Sequence, residues 1–303
     1  MTVGQASLPY SRSAVKGRSK SHALFPWLLM APSVLLVLLV TVLPIVQAVS
    51  LSLRETFFLE QGQFIGADHY KRFFADPSGH RNIVTTLVFA AGSIALTFPL
   101  AIGLALLLSR DFPGRAVVRT LLILPWVVSQ LLGALMWQWV LSPNIGAIAY
   151  WLGKFVGGRV DILGTTNTAM AGMIVANVWR TYPYAMILTL AAIVTVPQDL
   201  YEAAKVDGAN ARQRFFSITF PLIRPTLLIA LIILTVNAIN MIELPLILTG
   251  GGPIDVTDLL GLRVYREAFV LQNFGFASAI AIVMFGMNAL MSIAYIRVLR
   301  SEA

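Results

Sequence analysis

Two charged side chains interrupt the long apolar stretches of this chain. Arg180 and Glu243 are the only ionisable residues well inside those stretches. Each costs on the order of 3 kcal/mol at the centre of a bilayer unless it faces protein or water. Two interpretations stay open at this stage. In the first, Arg180 and Glu243 pair with each other or with loop dipoles and so hold the helices together. In the second, the two side chains contact a substrate.

Neutral amides accompany Glu243 at helical spacing. Asn237, Asn240 and Glu243 are three residues apart, which predicts a polar face along one helix, and Asn288 lies on a second, weaker stripe. A polar face on an apolar helix indicates a cavity, although interhelical hydrogen bonding is a competing explanation. Neutral polar groups suit hydroxyl-rich ligands. We therefore predict a substrate path, whose candidate residues are Asn237, Asn240, Glu243, Arg180 and Asn288.

Motifs for covalent, metal or nucleotide chemistry are missing from the sequence. It has no cysteine, so disulfides and thiolate metal sites are excluded, and it contains no GxxxxGK[ST], HExxH or GxSxG pattern. We predict a chain that is not an enzyme, with no catalytic residue, metal or cofactor of its own. If ATP drives the protein, ATP and magnesium must bind to another subunit.

The elements that would position these side chains are long apolar helices. Of the 303 residues, 57% are hydrophobic and 12% are charged, and the mean hydropathy is +0.79. Each of six apolar stretches exceeds the roughly 20 residues that cross a bilayer. The sequence predicts an all-α integral membrane protein with six transmembrane helices. The stretches are 25–48, 83–108, 120–141, 169–195, 226–248 and 276–296.

The loop charges predict the orientation of these helices. Alternate connections and both tails carry 13 lysines and arginines on one side, against 8 on the other. The more basic side is expected to be cytoplasmic, which places both termini there and explains the net charge of +8 without nucleic acid. We predict a basic cytoplasmic tail at 1–24, a first helix at 25–48, an extracytoplasmic loop at 49–82 and a core domain at 83–303.

Loop 196–225, on the predicted cytoplasmic side, has its own helical pattern. Asp199 suits an N-cap, with Glu202 at the third helical position, and Gly208 suits a left-handed C-cap. A second helix is predicted through ARQRFFSIT, stopping at Pro221. Small Ala203 and Ala204 would allow close approach to a partner.

These residues resemble a known family. The spacing of Glu202-Ala203-Ala204, Gly208, Ile218 and Pro221 is similar to the EAA loop of permease subunits of ATP-binding-cassette (ABC) importers, with Phe220 in place of the usual leucine. Two further segments resemble the carbohydrate-uptake branch, of the maltose or glycerol-phosphate type. They are Trp179 through Pro183 and the outer turn that begins at Leu248-Thr249 and includes Gly250, Gly251, Gly252 and Pro253.

The resemblance implies a type I importer permease in a prokaryotic cytoplasmic membrane, carrying a sugar or related polyol. Its expected partners are a second homologous permease, an ATPase dimer, an extracytoplasmic binding protein and the lipid bilayer. Contact with the ATPase would fall on a coupling helix at Glu202, Ala203, Ala204 and Gly208. The alternative is an ion-coupled secondary transporter that uses Glu243 as its proton carrier.

Overall fold

Helices dominate this molecule because backbone groups inside a bilayer must be satisfied within the segment itself. The computed structural model describes residues 20–57 and 60–300, and 78% of these described residues are helical. The helices are α1 (Lys20–Ser52), α2 (Asp68–Ala75), α3 (Pro77–Leu108), α4 (Arg115–Val127), α5 (Gln130–Val140), α6 (Ala147–Val156), α7 (Thr166–Val194), α8 (Gln198–Val206), α9 (Ala211–Arg214), α10 (Phe220–Ile239), α11 (Glu243–Leu248), α12 (Leu260–Tyr265) and α13 (Phe274–Arg300). Two π-helical turns, Phe215–Thr219 and Arg266–Val270, join α9 to α10 and follow α12.

Contacts divide the described chain after Gln47. The first unit contains most of α1, whose stretch Leu29–Ser52 has a mean hydropathy of 2.7 and is long enough to cross a membrane. The second unit begins at Ala48 and contains every other element. All the sites described below lie in the second unit.

Four helices in the described chain are long and apolar enough to cross a bilayer, and the number rises to six when each of two bent helix pairs counts as one span. The predicted single helix 120–141 is wrong, because Val128 and Ser129 are extended and α4 meets α5 at 97°. The predicted helix 226–248 is wrong as well, because α10 ends at Ile239 and α11 starts at Glu243. Pro245 supplies a reason for the second break, since its ring cannot enter a continuous helix without losing a hydrogen bond.

The centre of the second unit is the packing of α3 against α7. Small buried residues recur along α3 almost every fourth position, and small residues let helix backbones approach closely. The hydroxyl oxygens of Thr97 in α3 and Thr181 in α7 are 3.4 Å apart. The buried small residues of α3 are Ala90, Ser93, Thr97, Ala101 and Ala105.

Side chains from several helices fill the core on either side of this contact. One cluster joins α3, α5, α7 and α11 through residues such as Phe89, Met173 and Leu244. A second joins α3, α7 and α10 and includes Met186 and Ile223. A third lies among α2, α10, α12 and α13. Together these contacts fix α10 between α7 and α13.

The predicted loop 49–82 is a folded segment. Strands β1 (Arg54–Phe57) and β2 (Glu60–Phe64) pair antiparallel, so the prediction of an all-α protein misses this hairpin. The hairpin is fastened to the helices, because the backbone N–H of Gly275 donates to the hydroxyl of Thr56 at 2.6 Å. The segment 49–82 therefore packs on the start of α13.

Candidate functional site

Helix α8, within the predicted coupling loop, projects from the helical bundle. It follows α7 after a bend of 70°, and none of its nine residues is buried. Val206 is 88% exposed and Leu200 is 43% exposed. The predicted contact residues Glu202 and Ala203 are exposed too. Helix α8 thus presents an exposed, partly apolar surface.

The end of α8 forms a Schellman motif. Gly208 adopts a φ of +78°, its N–H donates to the Lys205 carbonyl at 3.1 Å, and the Ala209 N–H donates to the Ala204 carbonyl at 2.9 Å. The predicted left-handed cap at Gly208 is confirmed. A side chain at this position would be strained although open space surrounds it.

Two local predictions for this loop are wrong. Asp199 is not the N-cap, because α8 begins at Gln198 and Pro197 precedes it without a side-chain bond. The capping box lies instead at Asn210 and Gln213, which start α9. The second helix does not stop at Pro221. A π-helical turn at Phe215–Thr219 carries the chain from α9 into α10, and such a turn accommodates a residue that cannot join the regular ladder.

Helix α8 is tied to the long helices at defined points. The hydroxyl of Tyr201 lies 2.9 Å from that of Thr219, at the end of the π-helical turn. Arg214 donates to the Ala209 carbonyl, just beyond the cap, at 2.7 Å. A displacement of α8 is therefore passed to α7 through the chain and to α10 through these bonds.

The predicted path residues surround an open cavity of about 340 Å³. Asn237, Asn240, Glu243 and Arg180 all line it, as the sequence grouping predicted, and the first three are exposed. The predicted path residue Asn288 of α13 is not in the lining, but it donates to the Asn240 side-chain oxygen at 3.4 Å. The break at the end of α10 means that these residues share a cavity but not one helix face.

Arg180 and Glu243 do not form an ion pair among the described residues. Glu243 instead accepts from the amide of Gln130 at 2.8 Å, and the buried Nε of Arg180 has no hydrogen-bond partner. No direct ion pair joins the two charges, but they line the same cavity and interact electrostatically. The contact that holds Glu243 comes from the start of α5, where the chain bends.

Three residues that line this cavity were not predicted from the sequence. Gln130 is one, and its signal was an amide within the apolar stretch 120–141. Trp126 and Tyr184 are the others, with ring centroids 6.0 Å apart. Exposed aromatic faces beside amides form a surface that matches the alternating C–H faces and hydroxyls of a sugar. No sequence spacing links Trp126 to Tyr184, because α4 and α7 meet only in the fold.

The outer turn is held from below by buried polar side chains. Gly250 and Gly251 adopt positive φ angles of 60° and 90°, and the Gly250 carbonyl accepts from Arg266. Arg266 also donates to Asp258 at 3.1 Å. Thr257, fully buried, donates to the Gly252 carbonyl at 2.6 Å. The sequence indicated the turn, but it did not indicate the hydrogen bonds from Thr257 and Arg266 that hold it.

Asp258 connects Arg266, which holds the turn, to Asn82 of α3. Asp258 is 3% exposed, and its carboxylate accepts hydrogen bonds from Asn82 at 2.9 Å and from Arg266. Burial raises the pKa of the Asp258 carboxyl above its ordinary value, against the opposing effects of the Asn82 bond and the arginine charges. The turn is thus fixed by a buried polar network.

A multi-pass helical membrane protein with a polar internal cavity and an exposed surface helix has the parts of a transport subunit. The chain belongs to the family of binding-protein-dependent transport system inner membrane components, which its residues 19–301 match. It is a permease subunit of the ABC type and a transport component, not an enzyme. The comparisons give no support to the ion-coupled alternative.

Named relatives cover nearly the whole chain. The trehalose/maltose transport system permease protein MalF of Thermococcus litoralis is 33% identical over 90% of this chain and 92% of its own. The sn-glycerol-3-phosphate transport system permease protein UgpA of Brucella abortus is 33% identical over 87% of this chain and 90% of its own. A bacterial ABC transporter that imports the acidic polysaccharide alginate matches with a TM-score of 0.79 at 26% identity, covering 94% and 99% of the two chains.

Proposed function

We propose that this chain is one of two membrane subunits of an importer in a prokaryotic inner membrane, and that α8 docks into a separate ATPase. The exposed surface of α8 carries this proposal. Leu200 and Val206 give this surface apolar area that a docked partner would cover, and Glu202 offers that partner a charge. ATP and magnesium would bind in the ATPase dimer.

The cavity beside α10 is the proposed path for a sugar or related polyol. Asn237 and Asn240 offer donors and acceptors to hydroxyl groups, and Trp126 and Tyr184 offer apolar ring faces. The relatives support this substrate class, since trehalose, maltose, glycerol phosphate and alginate are all rich in hydroxyls.

A second permease would complete that path. Asn237, Asn240 and Glu243 are exposed in the single chain although they lie in or beside apolar helices. Polar groups at membrane depth face protein or a water-filled cavity, not lipid. A related subunit packed across this face would close the cavity, and an extracytoplasmic binding protein would deliver substrate to it. A solved alginate transporter in complex with a periplasmic protein bound to an alginate pentasaccharide supports such a partner.

The proposed topology has six crossings, made by α1, α3, the α4–α5 pair, α7, α10 and α13, with α8 and both termini in the cytoplasm. The bias of basic residues supports this orientation. In the proposed cycle, closure of the ATPase dimer on ATP draws the two coupling helices together. The bend at α7 and the Tyr201–Thr219 bond pass this movement to the spans and open the cavity outward.

Substitution at the cap of α8 tests the docking proposal. We expect Gly208→Val to strain the turn that aims α8, so that an ATPase containing a Walker motif no longer co-purifies with the tagged chain. Gly114→Val is the matched control, because Gly114 has a φ of +82° and open space around it but lies outside α8. Equal loss of the ATPase in both variants, or in neither, would contradict the docking site.

A further inference from the structure

A second cavity, of about 660 Å³, lies behind α8. Gln198 and Tyr201 of α8 line it. Leu200 and Ala203 point away from it, since each is turned by about 160° around the helix from one of these two residues. Glu202 lies only about 40° around the helix from Gln198, so the surface proposed for the ATPase adjoins this cavity, while Leu200 and Ala203 face away from it.

The cavity is strongly basic. It has four arginines and one carboxylate in its lining, which leaves an excess of three positive charges. Asp111 neutralises only Arg115, at 2.8 Å. A concave surface with this charge attracts an anion with several oxygen acceptors, such as a phosphate group. The four arginines are Arg110, Arg115, Arg212 and Arg214.

Two of these arginines keep donors available. The side chain of Arg110 is exposed and makes no ion pair or hydrogen bond with any residue in the described part of the chain. Arg212 has its guanidinium 5.9 Å from the centre of the Phe216 ring, which leaves its N–H groups free to donate. They come from different elements, since Arg110 follows the C-cap of α3 and Arg212 lies in α9.

Apolar walls continue from the cavity onto the outer surface. Leu106 and Val194 line it at the ends of α3 and α7. Beside them, Leu107 is 49% exposed, Val194 is 65% exposed and Phe216 is 58% exposed. Helix ends of a membrane protein lie at the level of the headgroups, so an arginine cluster with an apolar rim there matches an amphiphile.

We propose that this cavity binds the phosphate headgroup of an anionic phospholipid from the cytoplasmic leaflet, with the acyl chains along the exposed apolar rim. The inference rests on the proposed orientation of the protein. It goes beyond the transport proposal, because the bound lipid would brace the junction of α3, α8 and α9 beside the surface proposed for the ATPase. An acidic protein segment would match the arginines but would leave the apolar rim unused.

Thermal unfolding of the purified transporter in an uncharged detergent tests the proposal. The three additives are phosphatidylglycerol, phosphatidylcholine of the same chain length, and inorganic phosphate. We expect phosphatidylglycerol to raise the unfolding midpoint by about 3 °C more than the other two additives. The gain should disappear in the double variant Arg110→Gln with Arg212→Gln, and should persist in Arg119→Gln, which alters an exposed arginine outside the cavity lining.

Equal shifts with phosphatidylcholine would overturn a charge-selective lipid site, and an equal shift with inorganic phosphate would show a free-anion site instead. A shift kept in the double variant would exclude the arginines. Native mass spectrometry of the wild type, in an equal mixture of the two lipids, gives a second readout that needs no variant. It should retain phosphatidylglycerol in excess, and equal retention would contradict the proposal. The ATPase content of each preparation shows separately whether docking at α8 has failed.

Discussion

Asn237 in the last turn of α10 and Asn240 at its C-cap present amides to the cavity, and their expected task is to bind hydroxyl groups of substrate. We predict that Asn237→Ala or Asn240→Ala raises the KM for uptake about tenfold, because a lost hydrogen bond to substrate costs about 1–1.5 kcal/mol. Initial rates of uptake against substrate concentration measure this change.

Asn167→Ala is the matched control for the amide substitutions. Asn167 is exposed in the first turn of α7 and does not line the cavity, so its removal should leave uptake unchanged. Uptake unaffected by both cavity substitutions, with substrate preference unaltered as well, would remove these two residues from the path.

Asp258 sets the stability of the outer turn. We predict that Asp258→Ala lowers the free energy of unfolding by about 2–3 kcal/mol, because it leaves Asn82 and partly buried Arg266 without their carboxylate. Asp255→Ala is the control. Its ion pair with Arg81 is exposed, with a separation of 3.3 Å, and its loss should cost about 0.5 kcal/mol or less. Denaturant unfolding of the two variants measures the difference, and equal losses would contradict a buried network.

The raised pKa of Asp258 gives the stability a pH dependence of known sign. The folded state binds the proton more tightly than the unfolded state, whose carboxyl titrates near its ordinary value of 3.8. The stability of the wild type relative to Asp258→Asn should therefore be greatest below that value and should fall as the pH rises through the raised pKa. A relative stability that increases with pH over this window would show the opposite shift.

Residue types alone predicted much of the cavity but little of its bonding. Asn237, Asn240 and Glu243 were recognisable because polar side chains are conspicuous in an apolar helix. The partner of Glu243 was not recognisable, because Gln130 lies more than 100 residues earlier and meets it only through the bend between α4 and α5. Opposite charge suggested Arg180 as the direct partner of Glu243, whereas in the fold the hydrogen-bond donor to Glu243 is the amide of Gln130.

Helix α3 approaches α7 through small residues, and this contact sets the spacing of the bundle. We predict that Ala101→Leu destabilises the protein by about 2–3 kcal/mol, because Ala101 is fully buried and added methyl groups would force the helices apart. Gly103→Leu is the matched control on the same helix, since nothing lies within 4 Å of the position of its added Cβ. Unfolding midpoints in detergent compare the variants, and similar losses in both would show that the contact does not limit the packing.

At the level of elements, composition located the apolar segments and not their interruptions. Hydropathy cannot distinguish a straight span from α4 and α5, which together have enough apolar length but meet at 97°. Local signals had mixed value. Gly208 marked the end of α8 correctly, since few residues adopt its backbone conformation, whereas Pro221 suggested a stop that the π-helical turn bypasses.

The orientation of the whole molecule follows from the proposed positive-inside assignment. The chain has no cysteine, so single substitutions can be labelled selectively. In intact spheroplasts, we expect a membrane-impermeant maleimide to label Ile254→Cys, at the 78% exposed outer turn, and to label Asp207→Cys, beside α8, only after permeabilisation. The reverse pattern would invert the topology and exclude cytoplasmic docking of α8.

At the same scale, the sequence predicted the family because a loop motif and the length of the apolar stretches agree on one class of protein. It could not predict the hairpin at Arg54–Phe64, whose strands are short and are held by contact with α13. The sequence could not predict which side of the cavity is open either, because the exposure of its residues depends on how the helices pack.

Reconstituted transport tests the central claim most directly. The purified transporter is placed in liposomes with its binding protein outside, and entry of a labelled sugar is followed with ATP accessible to the ATPase. The account predicts uptake that requires ATP, is abolished by Gly208→Val and continues in Gly114→Val. Uptake by this chain alone, without ATP and stopped by an uncoupler, would contradict the account.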